Sequence, residues 1–115
     1  MHELSVALSI IEGVEEEAAR HPGTVEAIHL RLGPLAGIVK EALLSAWELA
    51  CESSTLAGVR LVVEDMPIIV YCPTCQANQT VTSMQWMCCP VCDTPASEII
   101  QGQELEVRAL EMRDG

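Results

Sequence analysis

The chain has 115 residues, of which half are apolar, and a formal net charge of −11; it contains no Phe, one Tyr and two Trp. This length suits one ordinary domain, or one small domain that carries an insertion, and the core must be aliphatic. The excess of acidic residues, with no stripe of Lys or Arg, argues against a function in nucleic-acid binding.

The sequence also argues against membrane insertion and export. No apolar run approaches the roughly 18 residues that a membrane-spanning helix needs, so we expect no membrane partner. Glu3 and Glu12 lie where a signal peptide would have a basic segment and an apolar run. We therefore expect a cytoplasmic protein. In that reducing compartment, six cysteines indicate metal ligands or free thiols rather than disulfides.

The first part of the chain predicts one helix and one strand. The helix runs from Leu4 to about Arg20, because apolar residues recur there at helical spacing. These residues are Leu4, Ala7, Leu8, Ile11, Val14 and Ala18. A strand is expected over Thr24–Leu32, where alternate residues are apolar. The apolar residues on one of its faces are Ile28, Leu30 and Leu32.

A second helix and a second strand follow. The helix is predicted from about Gly37 to Cys51, where the apolar residues again share one side. They are Ile38, Val39, Ala42, Leu43, Ala46, Trp47 and Ala50. The strand is predicted over Val59–Asp65, and Met66-Pro67 marks a boundary.

From Tyr71 to about Pro95 the chain becomes rich in Cys, Pro, Thr, Gln and Asn. We expect that such a stretch builds no apolar core of its own and needs a metal ion. Alternation returns over Glu104–Met112, after a turn or bulge at Gly102, and this last strand would complete the earlier sheet. The predicted fold class is therefore α/β: two helices packed on a three-stranded sheet, with a four-cysteine zinc-ribbon module inserted before the last strand.

Two Cys-x-x-Cys pairs, Cys72-Pro-Thr-Cys75 and Cys89-Pro-Val-Cys92, lie in this segment with thirteen residues between them. Each pair can form a tight turn that presents two thiolates to one ion. Four soft thiolates in a tetrahedron suit Zn(II). Because all four coordination positions would be filled, this zinc is predicted to be structural rather than catalytic.

The other two cysteines are interpreted differently. The Cys-Pro-x-Cys turn selects Cys89 over its neighbour Cys88, which is then a spare thiol. Cys51, on the second helix, is interpreted as a small buried apolar residue. A rubredoxin-like iron carrier would use the same four ligands, but it would surround the iron with aromatic side chains. This segment offers only Tyr71 and Trp86.

The sequence begins Met1-His2-Glu3. The Met1 amine, the His2 backbone nitrogen and the His2 ring nitrogen could chelate one square-planar metal ion. Ni(II) and Cu(II) favour such a planar, nitrogen-rich site. By itself this is weak evidence, because a histidine near a terminus is most often simply solvated. Two other histidines, His21 and His29, are interpreted as exposed residues.

In combination, these features resemble the HypA/HybF family of nickel metallochaperones for [NiFe] hydrogenase maturation. The shared marks are the terminal Met1-His2-Glu3, the two cysteine pairs late in the chain, and the closing segments Ile100–Leu105 and Leu110–Met112. The resemblance covers essentially the whole chain. One departure is that the cysteine segment here contains no histidine, whereas that of some relatives does.

The resemblance implies a metal carrier rather than an enzyme. It makes His2 the essential nickel ligand, assisted by the Met1 amine and the backbone around Glu3, and it assigns zinc to Cys72, Cys75, Cys89 and Cys92. Nickel would pass to the [NiFe] hydrogenase large subunit with help from a partner GTPase, and some members of the family also serve urease.

The domain boundaries follow from the same interpretation. We expect a nickel-binding α/β domain formed by residues 1–66 and 98–115, and a zinc-binding domain formed by residues 67–97. Without the family resemblance, the preferred interpretation would be a zinc-stapled protein-interaction adaptor whose extreme N-terminus is dispensable.

Overall fold

The computed structural model describes residues 3–114 and has two α-helices and six strands. The elements in chain order are α1 (Glu3–Ala18), β1 (Thr24–Leu32), a 3₁₀ turn (Pro34–Ala36), α2 (Lys40–Cys51), β2 (Arg60–Asp65), β3 (Ile68–Cys72), β4 (Ala77–Val81), β5 (Glu98–Gln101) and β6 (Leu105–Arg113). The predicted fold class is confirmed, and a second sheet is added to it.

The first sheet has the strand order β2-β1-β6. An ion pair joins Glu26 to Arg113 and a hydrogen bond joins His29 to Glu111, so β1 and β6 run antiparallel. The last strand therefore completes the sheet that begins before the cysteine segment, as the sequence predicts. On β1, Ile28, Leu30 and Leu32 are buried as expected.

The two helices pack against each other and run parallel. At their starts, the carboxylate of Glu3 in α1 accepts a hydrogen bond from the backbone nitrogen of Val39, the residue before α2. Near their ends, the carboxylate of Glu15 in α1 accepts hydrogen bonds from Thr55, just beyond α2. The core side chains that the helices supply are Val6, Ala7, Ile11 and Val14 from α1, and Leu43, Trp47, Ala50 and Cys51 from α2.

Two details of the helices differ from the sequence prediction. Leu4 and Leu8 are exposed, and Val6 is buried instead, so the buried stripe of α1 is rotated from the one expected. The second helix begins at Lys40 rather than near Gly37, because Gly37 has a φ of +78° that no α-helix accommodates. Val39 is therefore an exposed residue at the helix start rather than a core residue.

The second sheet has the order β4-β3-β5 and is antiparallel throughout. Its buried residues, Ile68, Val70 and Val81, form a small core with half-buried neighbours. These neighbours are Leu35, Met87 and Ala96. The expectation that the cysteine segment has no apolar core is therefore wrong in part, because Val81 and Met87 of that segment pack with residues just outside it.

Gly33 and Gly102 allow two backbone segments to approach closely. A Cβ atom at Gly33 would lie 2.1 Å from the carbonyl oxygen of Gly102, which no other residue could tolerate. The Leu35 backbone nitrogen donates to that same oxygen. Gly102 has a φ of +129°, so the turn expected at this position is present.

The chain divides into two compact units. One comprises residues 1–30, 37–64 and 107–115, and the other comprises residues 31–36 and 65–106. Over residues 3–114, neither helix combines the length and the apolar character required to cross a bilayer.

Charge is distributed unevenly along the sequence. Each of the five arginines forms an ion pair with a glutamate. The helix α1 contains five glutamates and no basic residue. In contrast, residues 66–92, which include all four clustered cysteines, contain no charged side chain and no histidine.

Candidate metal centre

The structure brings Cys72, Cys75, Cys89 and Cys92 together. Their four sulfur atoms all lie within 4.8 Å of one another. Three of the sulfur–sulfur distances are 3.4, 3.6 and 3.8 Å. A tetrahedral zinc ion with Zn–S bonds of about 2.3 Å requires sulfur atoms about 3.8 Å apart. The cluster therefore has the ligand chemistry and the dimensions of a zinc site.

The first cysteine turn joins β3 to β4. Cys72 is the last residue of β3 and pairs with Ala77, the first residue of β4. The backbone nitrogen of Cys75 donates to the sulfur of Cys72. Gln76, which follows the second cysteine, has a φ of +54°. This left-handed residue lies between the second cysteine and β4, where the chain turns back into the sheet.

The second turn repeats this arrangement outside any strand. The backbone nitrogen of Cys89 donates to the carbonyl of Thr94, and that of Asp93 donates to the carbonyl of Cys89. Asp93 has a φ of +61°, matching Gln76 in the first turn. Its carboxylate accepts a hydrogen bond of 2.9 Å from the indole of Trp86, which fixes the left-handed residue in place.

Two threonines that the sequence analysis did not single out lie beside the cluster. The hydroxyl oxygen of Thr94 is 3.1 Å from the sulfur of Cys92 and 2.9 Å from the hydroxyl of Thr74. Thr74 lies within the first cysteine turn and Thr94 lies just after the second. This closeness in sequence to the cysteines is the feature by which they could have been predicted. The hydrogen bond between Thr94 and Thr74 links the two turns through side chains.

The polar surroundings act differently on two of the thiols. Hydrogen bonds from Thr94 lower the pKa of the Cys92 thiol to about 6. The hydrogen bond with Cys92, together with burial, raises the pKa of the Cys75 thiol to about 12. Of these two thiols, Cys92 therefore loses its proton at the lower pH when no metal is bound. A bound zinc ion would displace the remaining protons.

Cys88 and Cys51 lie outside the cluster. Cys88 is half-buried, and its backbone forms an isolated bridge with Pro95, while the adjacent Cys89 is buried and belongs to the group of four. The structure thus groups the cysteines in the predicted register. Cys51 is buried on α2, and burial raises the pKa of its thiol, as expected for an unreactive residue of the core.

Of the three predicted nickel-binding residues, Glu3 is the one that lies within the described part of the chain. Met1 and His2 lie outside the described residues. Glu3 is the first residue of α1, and its carboxylate lies 3.2 Å from the backbone nitrogen of Val39. The other two histidines are paired with glutamates, His21 with Glu17 and His29 with Glu111, at distances of 3.1 and 2.6 Å.

Comparisons with known proteins agree over the length of the chain. The family model described as HypA, hydrogenase/urease nickel incorporation, metallochaperone, matches residues 1–112. The hydrogenase maturation factor HypA of Chloroflexus aurantiacus (strain ATCC 29366 / DSM 635 / J-10-fl) is 43% identical over 113 residues, covering 96% of this chain and 98% of that protein. The hydrogenase maturation factor HypA of Roseiflexus sp. (strain RS-1) is 42% identical over 116 residues, covering 99% and 94%.

Solved structures give the same result. The solution structure of the Ni metallochaperone HypA from Helicobacter pylori is similar to this chain with a TM-score of 0.68 and 26% identity, covering 100% of each chain. A second solution structure of a HypA protein gives a TM-score of 0.72 at 26% identity, covering 100% of this chain and 98% of that one.

Proposed function

This chain belongs to the HypA family of hydrogenase/urease nickel-incorporation metallochaperones, and we propose that it binds Ni(II) at its N-terminus and delivers it for maturation of [NiFe] hydrogenase. The family is one of metal carriers and not of enzymes. The observation that carries the proposal is the family match over residues 1–112, which includes Met1-His2-Glu3.

The proposed nickel ligands are nitrogen atoms at the start of the chain. They are the Met1 amine, the His2 backbone nitrogen and the His2 ring nitrogen, with the backbone nitrogen of Glu3 in the fourth position. Glu3 is the first residue of α1, and the N–H groups of a helix's first turn have no acceptor within the helix. Metal binding at this nitrogen would therefore break no hydrogen bond of the helical ladder.

A carrier must also release its metal. Ligands on a chain terminus can detach one at a time in favour of a competing site. Because the His2 ring and the Met1 amine must lose protons to bind, we expect nickel affinity to fall as pH falls.

We assign the cysteine cluster to a structural zinc ion, bound by Cys72, Cys75, Cys89 and Cys92. Four thiolates leave no open coordination position, so this ion would stabilise the fold rather than take part in transfer. The proposed domains are accordingly a nickel-binding domain, residues 1–66 and 98–115, and a zinc-binding domain, residues 67–97.

The proposed partners follow from the cargo. Family membership implies work with the hydrogenase maturation machinery. Within it we propose the nickel-insertion GTPase and the [NiFe] hydrogenase large subunit, with urease maturation proteins as further candidates, and the cytoplasm as the compartment.

The proposal is tested by replacing His2 in protein that carries no tag. We expect His2→Ala to weaken nickel affinity by at least about a hundredfold, since even groups that only support a ligand contribute about ten- to a hundredfold. One residue added before Met1 should have a similar effect, because it displaces the amine. Isothermal titration calorimetry measures both variants.

The matched control is His21→Ala, which removes an exposed histidine paired with Glu17. It should bind nickel as the wild type does, and all of these variants should retain zinc. Unchanged nickel affinity in His2→Ala would show that the proposed nickel site is wrong.

A further inference from the structure

The second helix lacks a cap of its own. Its N-cap residue is Val39, which has φ −85° and ψ +116° and makes no capping hydrogen bond through its side chain. A valine side chain has no atom that could accept one. In a capping box, a Glu or Gln at the third helical position accepts the N–H of the N-cap residue. That position here is Ala42, which has no acceptor either.

Glu3 supplies the missing acceptor from the other helix. Its carboxylate takes the same N–H that a capping box would satisfy, that of Val39, at 3.2 Å. A carboxylate at this position also interacts favourably with the positive end of the α2 dipole. The start of α2 is therefore capped by a residue that lies 36 positions earlier in the sequence.

The same residue belongs to the proposed nickel-binding segment. We propose that Glu3 is a positioning residue of the nickel site and not a ligand through its carboxylate. Its side chain caps α2, and this contact fixes the metal-binding backbone at the start of α1. This inference rests on the proposed N-terminal nickel site, and it assigns the Glu3 side chain a task separate from that of its backbone nitrogen.

The expected effect on affinity follows from conformational populations. The first turn of a helix frays when nothing holds it. If only a fraction of molecules keeps Glu3 in the binding conformation, the apparent dissociation constant rises by the inverse of that fraction. Removing a hydrogen bond to a charged acceptor is enough to change such a population by about tenfold.

The chain contains a matched control for this contact. Glu15, near the other end of α1, accepts hydrogen bonds from the backbone nitrogen and the hydroxyl of Thr55. This contact also joins α1, through a carboxylate, to the residues that follow α2. It lies at the opposite end of α1 from Glu3. Glu15→Ala thus removes a comparable tie between the helices without touching the cap of α2.

The experiment measures nickel affinity by calorimetry, and the ligand set by the visible d–d absorption of bound Ni(II), in zinc-loaded protein without a tag. We expect Glu3→Ala to weaken nickel affinity by about tenfold with an unchanged absorption spectrum. Glu3→Gln should stay within about threefold of the wild type, because its amide oxygen can still accept from Val39. Glu15→Ala should lower the melting temperature but leave nickel affinity unchanged.

The donor of the hydrogen bond can be removed independently. Val39→Pro deletes the N–H while keeping an allowed φ for the N-cap position. It should weaken nickel affinity as Glu3→Ala does. The double variant should show no further loss, since both changes break one contact.

The results that would overturn the inference are separable from those that would overturn the nickel site itself. Wild-type affinity in Glu3→Ala, or equal losses in Glu3→Ala and Glu15→Ala, would disprove positioning by the cap. If Glu3→Gln lowered nickel affinity as much as Glu3→Ala, or if the absorption spectrum of bound Ni(II) changed in Glu3→Ala, the carboxylate would be a ligand. Unchanged nickel affinity in His2→Ala, in contrast, would disprove the proposed nickel site itself, independently of the results for the Glu3 variants.

Discussion

At the scale of single residues, Gln76 and Asp93 share an unusual backbone conformation. Each directly follows the second cysteine of a turn and has a positive φ, of +54° and +61°. For a residue with a side chain this left-handed conformation costs about 1–2 kcal/mol. The two turns therefore reach the same geometry independently, at the same position relative to their cysteines.

This conformation leads to a prediction for stability. We expect Gln76→Gly to raise the free energy of unfolding of the zinc-loaded protein by about 0.5–1 kcal/mol, because the relief of strain exceeds the added entropy of the unfolded chain. Urea unfolding measures the change. A lower free energy of unfolding in Gln76→Gly would show that its side chain makes a contribution larger than the strain.

Asp93→Gly provides the comparison. Asp tolerates the left-handed region better than Gln does, and its carboxylate holds the indole of Trp86. Asp93→Gly should therefore raise the free energy of unfolding by less than Gln76→Gly does, or lower it. The difference between the two changes in the free energy of unfolding measures how much the hydrogen bond to Trp86 stabilises the protein.

At the scale of secondary-structure elements, the second sheet has only a small apolar core to stabilise it. Its strands contain only four or five residues each, and its core has three buried apolar side chains. A structural zinc ion contributes on the order of 10 kcal/mol to the folding of such a unit. We therefore expect β3, β4 and β5 to be far less stable without it.

Two adjacent cysteines allow this dependence to be tested. Cys89→Ser should lose the zinc ion, and the amide hydrogens of β3–β5 should exchange much faster. Cys88→Ser should keep one zinc ion per chain and wild-type exchange, because Cys88 lies outside the cluster. Zinc analysis and hydrogen–deuterium exchange measure both. The opposite result, with zinc lost in Cys88→Ser, would mean that the ligand register is wrong.

The sequence predicted the elements that have a clear apolar period. The bounds of β1 agree with those predicted, β2 begins one residue later than predicted, and β6 is shifted by one residue at both ends. The strands of the second sheet were not predicted, since β4 reads Ala-Asn-Gln-Thr-Val and lacks an apolar face. Such a strand is stabilised by pairing with β3 and by the cysteine turn at its start. Neither of these interactions produces a periodic pattern of apolar residues in the sequence.

The candidate site was predictable to the extent that it is local in sequence. Cysteine spacing was sufficient to find the four thiols and to separate Cys89 from Cys88. The contact of Glu3 with Val39 spans 36 positions, and it exists only because α1 and α2 lie parallel with their starts together. Long-range contacts of this kind leave no mark in a single sequence.

At the scale of the whole molecule, the five arginines are paired with glutamates and most of the acidic residues remain in excess. Exposed pairs of this kind contribute little to stability, about 0–1 kcal/mol each. Their main effect is to neutralise the basic side chains. A partner with a basic surface would therefore associate faster at low ionic strength.

The metal content of the whole protein provides the broadest test. After loading with nickel and zinc and removal of excess metal, we expect one tightly held zinc and one exchangeable nickel per chain. Elemental analysis before and after mild chelation measures both. Bound iron with a visible colour would instead indicate an electron carrier, and zinc without nickel would indicate an adaptor.

The four-cysteine cluster has a consequence for electrophoresis. It lies in a part of the sequence where residues 66–92 contain no charged side chain. A divalent cation bound by four thiolates leaves two negative charges, so taking up a cation makes this already acidic protein more negative. Zinc-loaded protein should therefore migrate faster toward the anode than a metal-free form of equal compactness, and its isoelectric point should be lower.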